Sequence, residues 1–523
     1  MFLSQSRIGV KEPRLQLRLW HIARSVLSNW FATAATLAVG FFLAPFVVHR
    51  LGNVAYGVWI LAVSCINYMA ILDLGMGSSV VRFVSKGHTT GDHEGASDAL
   101  SAIFWVRLQI SALILALSGG LAAVFPLIFK VSPALALDAR EAVIVIGITS
   151  AISMTLGGFS STLSALNRYD LKSYVTLIQL AVRVIGVVAV LLAGHGIVAI
   201  ALCELLAALV GNGLLWYVAL RTYPELRIRL TKPRREILRQ IWSYSVYSFV
   251  FTIALQLVYQ TDNMVVGAFV SAAAVTFYSI GNSLCRYTQQ IVSAMTMTFV
   301  SAASAYEAAG DSSRLRALYY NGTRATMALS LPIVITLIIR GGSFIGVWMG
   351  PQYARTSGTV LAILAMALLF SLQNTTAGAI AFGISKHQTV AKWAIAEGVA
   401  NLTLSIVLAR KFGIYGVAIG TLVPNLLVNL LLWPSYISRL VNVSRAQVFR
   451  DLWGPVFLCA VPFAGASYAV DVLFPARNMG IFVLQTMALL PVFGIAIGLM
   501  FRDNVKRQIV PRVRSFFTQL QDS

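Results

Sequence analysis

Apolar segments of about twenty residues recur from residue 27 to residue 500, and the polar gaps between them are too short to fold as separate domains. A helix rises 1.5 Å per residue, so ~20 mainly apolar residues cross the hydrocarbon layer of a bilayer. Inside lipid every backbone N–H and C=O must be satisfied within the chain, which makes segments of this kind helical. The expected fold is therefore all-α and polytopic, with about fourteen spans. They lie near 27–48, 54–75, 99–125, 141–162, 173–193, 196–220, 243–268, 275–299, 325–347, 357–383, 390–409, 414–437, 453–474 and 480–500. Only 11% of residues are charged and 58% are hydrophobic, against about 25% charged in soluble domains.

The net charge of +21 raises a nucleic-acid surface as a hypothesis, but the placement of the charges points to topology. Basic loops are retained on the cytoplasmic side far more readily than they are translocated. With the N-terminus inside, 29 of the 40 Lys and Arg residues fall in inner loops or tails, and the densest group spans Arg221 to Arg239. Both termini are expected in the cytoplasm. The basic arm before residue 25 reads as an uncleaved amphipathic helix on the inner leaflet or a plain tail.

No metal or redox chemistry is signalled. Cys65, Cys203, Cys285 and Cys459 each fall inside an apolar segment and read as buried thiols, and the six histidines lack ligand spacing. Gly75-Met76-Gly77 lacks the third glycine of a dinucleotide fingerprint.

Displaced by 217 residues, Val188–Trp216 aligns with Ser405–Trp433 without a gap, and 11 of 29 positions are identical. The matches include Gly196 with Gly413, Asn212 with Asn429 and Trp216 with Trp433. Six spans separate the copies, an even number, so both would share one orientation, as in transporters built from paired bundles. The expected domains are a basic arm 1–24, a six-helix lobe 25–220, a basic linker 221–242, a second six-helix lobe 243–438, two further spans within 439–500, and a basic tail 501–523.

Charged residues at the centre of a span cost about 2.5–3.5 kcal/mol on insertion scales, so those that persist usually face a cavity or a partner. The eighth span carries Asn282, Arg286, Gln289 and Gln290, with Ser279, Ser283 and Ser293, on one polar stripe. The seventh offers Gln256, Tyr259, Gln260 and Asn263, with Asp262 beside them; the fifth sets Thr176, Gln179 and Arg183 on one face. Arg107 lies near the inner end of the third span, within reach of headgroups. Three intramembrane arginines suit a diphosphate, because a guanidinium stays charged at low dielectric and grips phosphate oxygens bidentately. The competing explanation is internal pairing with Asp73, Glu204, Asp262 or Glu397. Those carboxylates are also candidates for binding a proton or sodium ion whose gradient drives transport; no other cofactor is expected.

The stretch Leu51-Gly52-Asn53-Val54-Ala55-Tyr56-Gly57-Val58-Trp59, with Leu72-Asp73-Leu74-Gly75-Met76-Gly77 and Val81-Arg82-Phe83, resembles the bacterial polysaccharide transporters, which include O-antigen flippases. Phe412-Gly413-Ile414-Tyr415-Gly416-Val417-Ala418-Ile419-Gly420-Thr421 is similar to that family's later motif, and Gln260-Thr261-Asp262 followed by Tyr278 resembles its middle region. The resemblance covers roughly residues 25–500. It implies the two-lobed, alternating-access fold of the multidrug/oligosaccharidyl-lipid/polysaccharide exporter superfamily and an undecaprenyl-diphosphate-linked oligosaccharide as cargo. It carries no invariant catalytic set.

The leading expectation is thus a flippase, with lipid-linked oligosaccharide, membrane lipids and polysaccharide polymerase machinery as partners, and no nucleic acid. The runner-up, an ion-coupled drug or metabolite antiporter of the same superfamily, would favour acidic cavity residues for cationic cargo. A membrane-embedded glycan polymerase, ligase or acyltransferase would need catalytic groups near the outer surface. The longest outer loop, about 126–140, offers Lys130, Asp138 and Arg140, with Glu141 beside it, but no such constellation.

Overall fold

The computed structural model describes residues 12–229, 260–386 and 388–500, together with positions 235, 236, 239, 253 and 256. Residues 1–11 of the arm, most of the linker beyond residue 229, Tyr259 and the tail after residue 500 lie outside the described residues. Among the described residues the regular elements are all helices. Ten stretches are long and apolar enough to cross a membrane. Two of these, Leu27–Asp73 and Gln388–Leu440, are 47 and 53 residues long, about twice what one crossing needs. With those two divided, α8 added and the partly described seventh helix included, the helices are compatible with fourteen spans. Backbone packing divides the chain into two compact units, Met1–Gln256 and Leu257–Ser523.

In the first unit α1 runs Glu12–Tyr68 with a break at Gly52. Residues 12–24 of the arm are thus helical and continuous with the first span. The φ of +76° at Gly52 lies in the left-handed region that only glycine enters without steric cost. A short 3-10 turn, Met69–Asp73, and two left-handed residues, Leu74 and Gly75, separate α1 from α2, Met76–Thr90. Then follow α3 His93–Ile128, α4 Pro133–Ala165, α5 Tyr169–Leu192 and α6 Ile197–Thr222. The helix α4 packs on α3 and α6, while α5 packs on α6 and α1. At one end of this unit Asp170 accepts from both Arg24 of α1 and Arg168, which ties α1 to the start of α5.

The second unit contains α7 (260–269), α8 Ala272–Ala308, α9 Ser312–Trp348, α10 Pro351–Ser371, α11 Thr375–Gly383 and α12 Gln388–Leu427, which breaks at Gly413. A π-helical segment leads to α13 Trp433–Leu440, and the turn α14 Arg445–Gln447 precedes α15 Gly454–Leu473 and α16 Met479–Met500. The helices α15 and α16 pair with each other and lie against α9.

Each unit uses the same local devices at matching places. Gly91-Asp92 starts α3 and Gly310-Asp311 starts α9; both glycines have positive φ. The Asp92 and Asp311 carboxylates accept from Gly95 N at 2.9 Å and Arg314 N at 3.0 Å, satisfying orphan donors of the first turn. Pro133 and Pro351 each open the next helix, a position where the missing N–H costs nothing. The buried pair from the repeat behaves alike as well. Asn212 donates to Ala208 O at 2.8 Å and Asn429 to Asn425 O at 2.9 Å, and each also bonds a neighbouring helix, through Ser153 and Asn374.

Candidate functional site

The glycines of the later motif are explained by packing. The chain reverses at Gly413, φ +57°, so the two arms of α12 lie antiparallel. A Cβ on Gly416 would sit 2.2 Å from Leu408 O, and one on Gly420 would sit 2.5 Å from Ser405 Oγ. Bare backbone is what lets the arms approach so closely.

That approach creates a polar seam inside the second unit. Ser405 Oγ donates to Val417 O at 3.3 Å, Asn401 Nδ2 donates to Thr421 Oγ1 at 3.3 Å, and Asn425 Nδ2 donates to Glu397 at 2.9 Å. The rungs are four residues apart on each arm, so they stack along one face of each helix. From α7, Asp262 joins the middle rung. Its Oδ2 accepts from Thr421 at 3.0 Å and from Tyr278 of α8 at 2.7 Å. Asp262 is buried, and its Oδ1 has no hydrogen-bond partner among the described residues. Buried carboxylate oxygens without donors are costly, and a bound cation or proton would relieve that cost.

The other polar residues of the second unit lie on the stripe of α8. Ser279 and Ser283 turn back to their own helix, onto Thr276 O and Ile280 O. Asn282, Arg286 and Gln289 are half-buried and Gln290 is exposed. Among the described residues none of these four forms a hydrogen bond, and Arg286 has no ion-pair partner. Gln260 is half-buried and Asn263 buried on α7.

In the first unit the other two candidate arginines are paired. Arg107 is 4% exposed and donates to Asp73 Oδ1 at 2.6 Å; its guanidinium lies beside Gly157 and Gly158, where a Cβ would come within 3.3 and 3.6 Å of Nη1. Arg183 donates to Glu204 across α5 and α6. Gln179 rests on Gly211, whose place a Cβ could not share with Gln179 Oε1. Gln256 Nε2 donates to Asn67 O at 3.2 Å. The structure therefore brings together Asp262, Glu397 and the seam, leaves the Arg286 stripe uncommitted, and gives Arg107 and Arg183 acidic partners. The four cysteines are buried and form no disulfide, and no group of acidic, histidine or cysteine side chains forms a metal cluster among the described residues.

Sequence reasoning did not find the seam as a unit. Its signal was present as the four-residue spacing Glu397, Asn401, Ser405 against Val417, Thr421, Asn425, visible only once the reversal at Gly413 is known. Arg340, which lies within the span expected near 325–347, is fully buried and joins α9 to α15 and α16 through Asp471 and Gln485.

The model of a protein family described as "Polysaccharide biosynthesis protein" matches residues 48–358. The chain is 24% identical over 445 residues to a membrane protein of Bacillus subtilis (strain 168) named EpsK, covering 84% of this chain and 86% of that one. It is 23% identical over 431 residues to a Haloferax volcanii protein named "Probable low-salt glycan biosynthesis flippase Agl15", covering 81% and 85%. The fold is similar to that of the lipid II flippase MurJ in an inward closed conformation, with a TM-score of 0.73 at 16% identity, over 91% of this chain and 99% of that one.

Proposed function

Because the chain belongs to the polysaccharide biosynthesis protein family and carries ten stretches long and apolar enough to cross a membrane, we propose that it is a flippase. It moves an undecaprenyl-diphosphate-linked oligosaccharide from the inner to the outer leaflet of the bacterial inner membrane, by alternating access and with both termini in the cytoplasm. The family and the transporter fold favour carriage over catalysis. The family description and the flippase named among the relatives support a glycan-lipid cargo.

The observation that carries this reading is the stripe of α8. A half-buried arginine in a membrane span with no partner among the described residues costs free energy, and the natural compensation is an anion that comes and goes. Arg286 presents a planar fork suited to diphosphate oxygens, flanked by Asn282, Gln289 and Gln290. Arg183 and Arg107 are held by Glu204 and Asp73, and join the cargo only if those pairs open. Asp262 is the site through which a proton or sodium gradient drives the cycle, because its free oxygen lies at the seam where α7, α8 and both arms of α12 meet.

The test is the sidedness of the glycan-diphosphate lipid in spheroplasts of a strain lacking other flippases. Depletion of the protein is expected to trap the lipid on the inner face. Arg286→Ala should leave it trapped, and Arg286→Lys should restore export only in part. Unchanged sidedness on depletion would defeat the reading.

A further inference from the structure

The chain that follows α6 folds back against other helices of the first unit. Residues Tyr223–Leu226 form a turn with Pro224 at its second position, closed by Leu226 N donating to Tyr223 O at 3.2 Å, where the fixed φ of proline is favoured. Residues 226–229 then run extended along the first three turns of α3. Leu226 is buried and Ile228 half-buried, and both join the cluster of Val84, Ala96 and Leu100, while Arg227 and Arg229 are exposed.

The register is set by main-chain hydrogen bonds to two serines. Arg227 N donates to Ser97 Oγ at 3.1 Å, and Arg229 N donates to Ser101 Oγ at 2.9 Å. Ser101 Oγ returns a bond to Arg227 O at 3.4 Å. Two extended residues advance ~6.6 Å and four helical residues ~6 Å, so alternate amides of the extended segment meet successive turns of α3. At its start the segment is pinned by Tyr223, 1% exposed, whose hydroxyl is hydrogen-bonded to His93 Nδ1 at 2.6 Å and whose ring meets His88 edge to face. Burial, with the Glu225 and Asp92 carboxylates nearby, pushes the phenol above its ordinary pKa. At the far end Arg229 lies 3.7 Å from both Glu94 and Asp98.

We propose that residues 223–229 are a strap that carries the chain from the end of α6 to the adjoining ends of α2 and α3, and that transport requires the strap to stay docked. With it docked, the chain leaves the strap beside α2 and α3; with it loose, about seven more residues, or ~23 Å of extended chain, are slack. The transport clause rests on the flippase reading above; the docking clause does not.

Trypsin measures docking directly, since cleavage needs a locally open chain. In the full-length protein in lipid nanodiscs, cleavage after Arg227 and Arg229 is expected to be at least ~100-fold slower than in a synthetic peptide of residues 223–233, given the burial of Tyr223 and Leu226. The double variant Ser97→Ala/Ser101→Ala should raise those two rates about tenfold or more, leave the remaining cleavage pattern unchanged, and reduce export of the glycan lipid. Ser97→Thr/Ser101→Thr, which keeps both hydroxyls, should restore protection and export. A short thiol cross-linker between Ser101→Cys and Arg227→Cys should leave export intact. Peptide-like cleavage in the unmodified protein would overturn the strap itself. Full export by the alanine variant despite fast cleavage, or export blocked by the cross-link and recovered on reduction, would overturn the requirement for docking. Protection without any export activity in the unmodified protein would defeat the flippase reading and leave the strap standing.

Discussion

Asn425 on the second arm of α12 donates to Glu397 on the first at 2.9 Å, one turn from the rung where Asn401 meets Thr421 and Asp262. Glu397→Gln keeps an oxygen that accepts from Asn425 and removes only the charge. It is expected to leave thermal unfolding in detergent nearly unchanged while weakening the response of export to a collapsed proton or sodium gradient. Glu397→Ala leaves the half-buried Asn425 Nδ2 without that acceptor, at a cost of about 1 kcal/mol. Equal export by wild type and Glu397→Gln under every imposed gradient would reduce Glu397 to a structural rung.

Close approach at the hairpin makes a steric prediction. Gly416→Val and Gly420→Val each place a branched side chain where backbone or Ser405 lies within 3 Å, so both should sharply lower the yield of monodisperse protein. Gly465→Val, where a Cβ meets nothing within 4 Å, should be tolerated, and equal yields from all three would contradict the packing described.

How far the sequence could be read depends on the range of the interaction. The spans followed from local hydropathy, and the repeat followed from identities such as Asn212 with Asn429, whose shared role is a bond to the residue one turn earlier. What stayed hidden needs tertiary register. Whether Arg107 is free or paired depends on the break at Leu74-Gly75, which places Asp73 against α3; the strap depends on a match of rise between an extended segment and a helix. Helix α8 also shows a limit of hydropathy. It is 37 residues long yet falls outside the ten apolar stretches, because the stripe expected to serve the cargo dilutes its apolar character.

Helix starts offer a test that titrates. Hydrogen bonds from Arg314 N and Ser313 hold the Asp311 carboxyl below its ordinary pKa, so its contribution to stability is present above the unfolded carboxylate pKa and fades as pH falls through the lower folded value. The difference in melting temperature between wild type and Asp311→Ala should accordingly be full at neutral pH and shrink on acidification below about pH 4. A difference independent of pH would mean that the cap does not depend on ionisation. The equivalent Asp92→Ala should cost about 1 kcal/mol at neutral pH.

Arg340 and Asp471 supply the strongest prediction for the two appended helices. The Arg340 side chain is fully buried, its Nε lies 3.3 Å from Asp471, its Nη2 donates to Gln485, and its guanidinium lies 4.5 Å from the Phe482 ring centroid. Ser343 on the next turn of α9 donates to the same Asp471 at 3.1 Å. Removing one member of such a pair strands a charge in a low-dielectric site, at about 3–5 kcal/mol, whereas replacing both with apolar groups of similar volume is often neutral or stabilising. Asp471→Leu alone should therefore lower the melting temperature markedly and expose α15 and α16 to protease, and Arg340→Met/Asp471→Leu should recover most of the loss. If the double variant were as unstable as the single, the pair would not be what fastens α15 and α16 to α9, and the apolar contacts of Phe463 and Phe493 would have to carry that attachment.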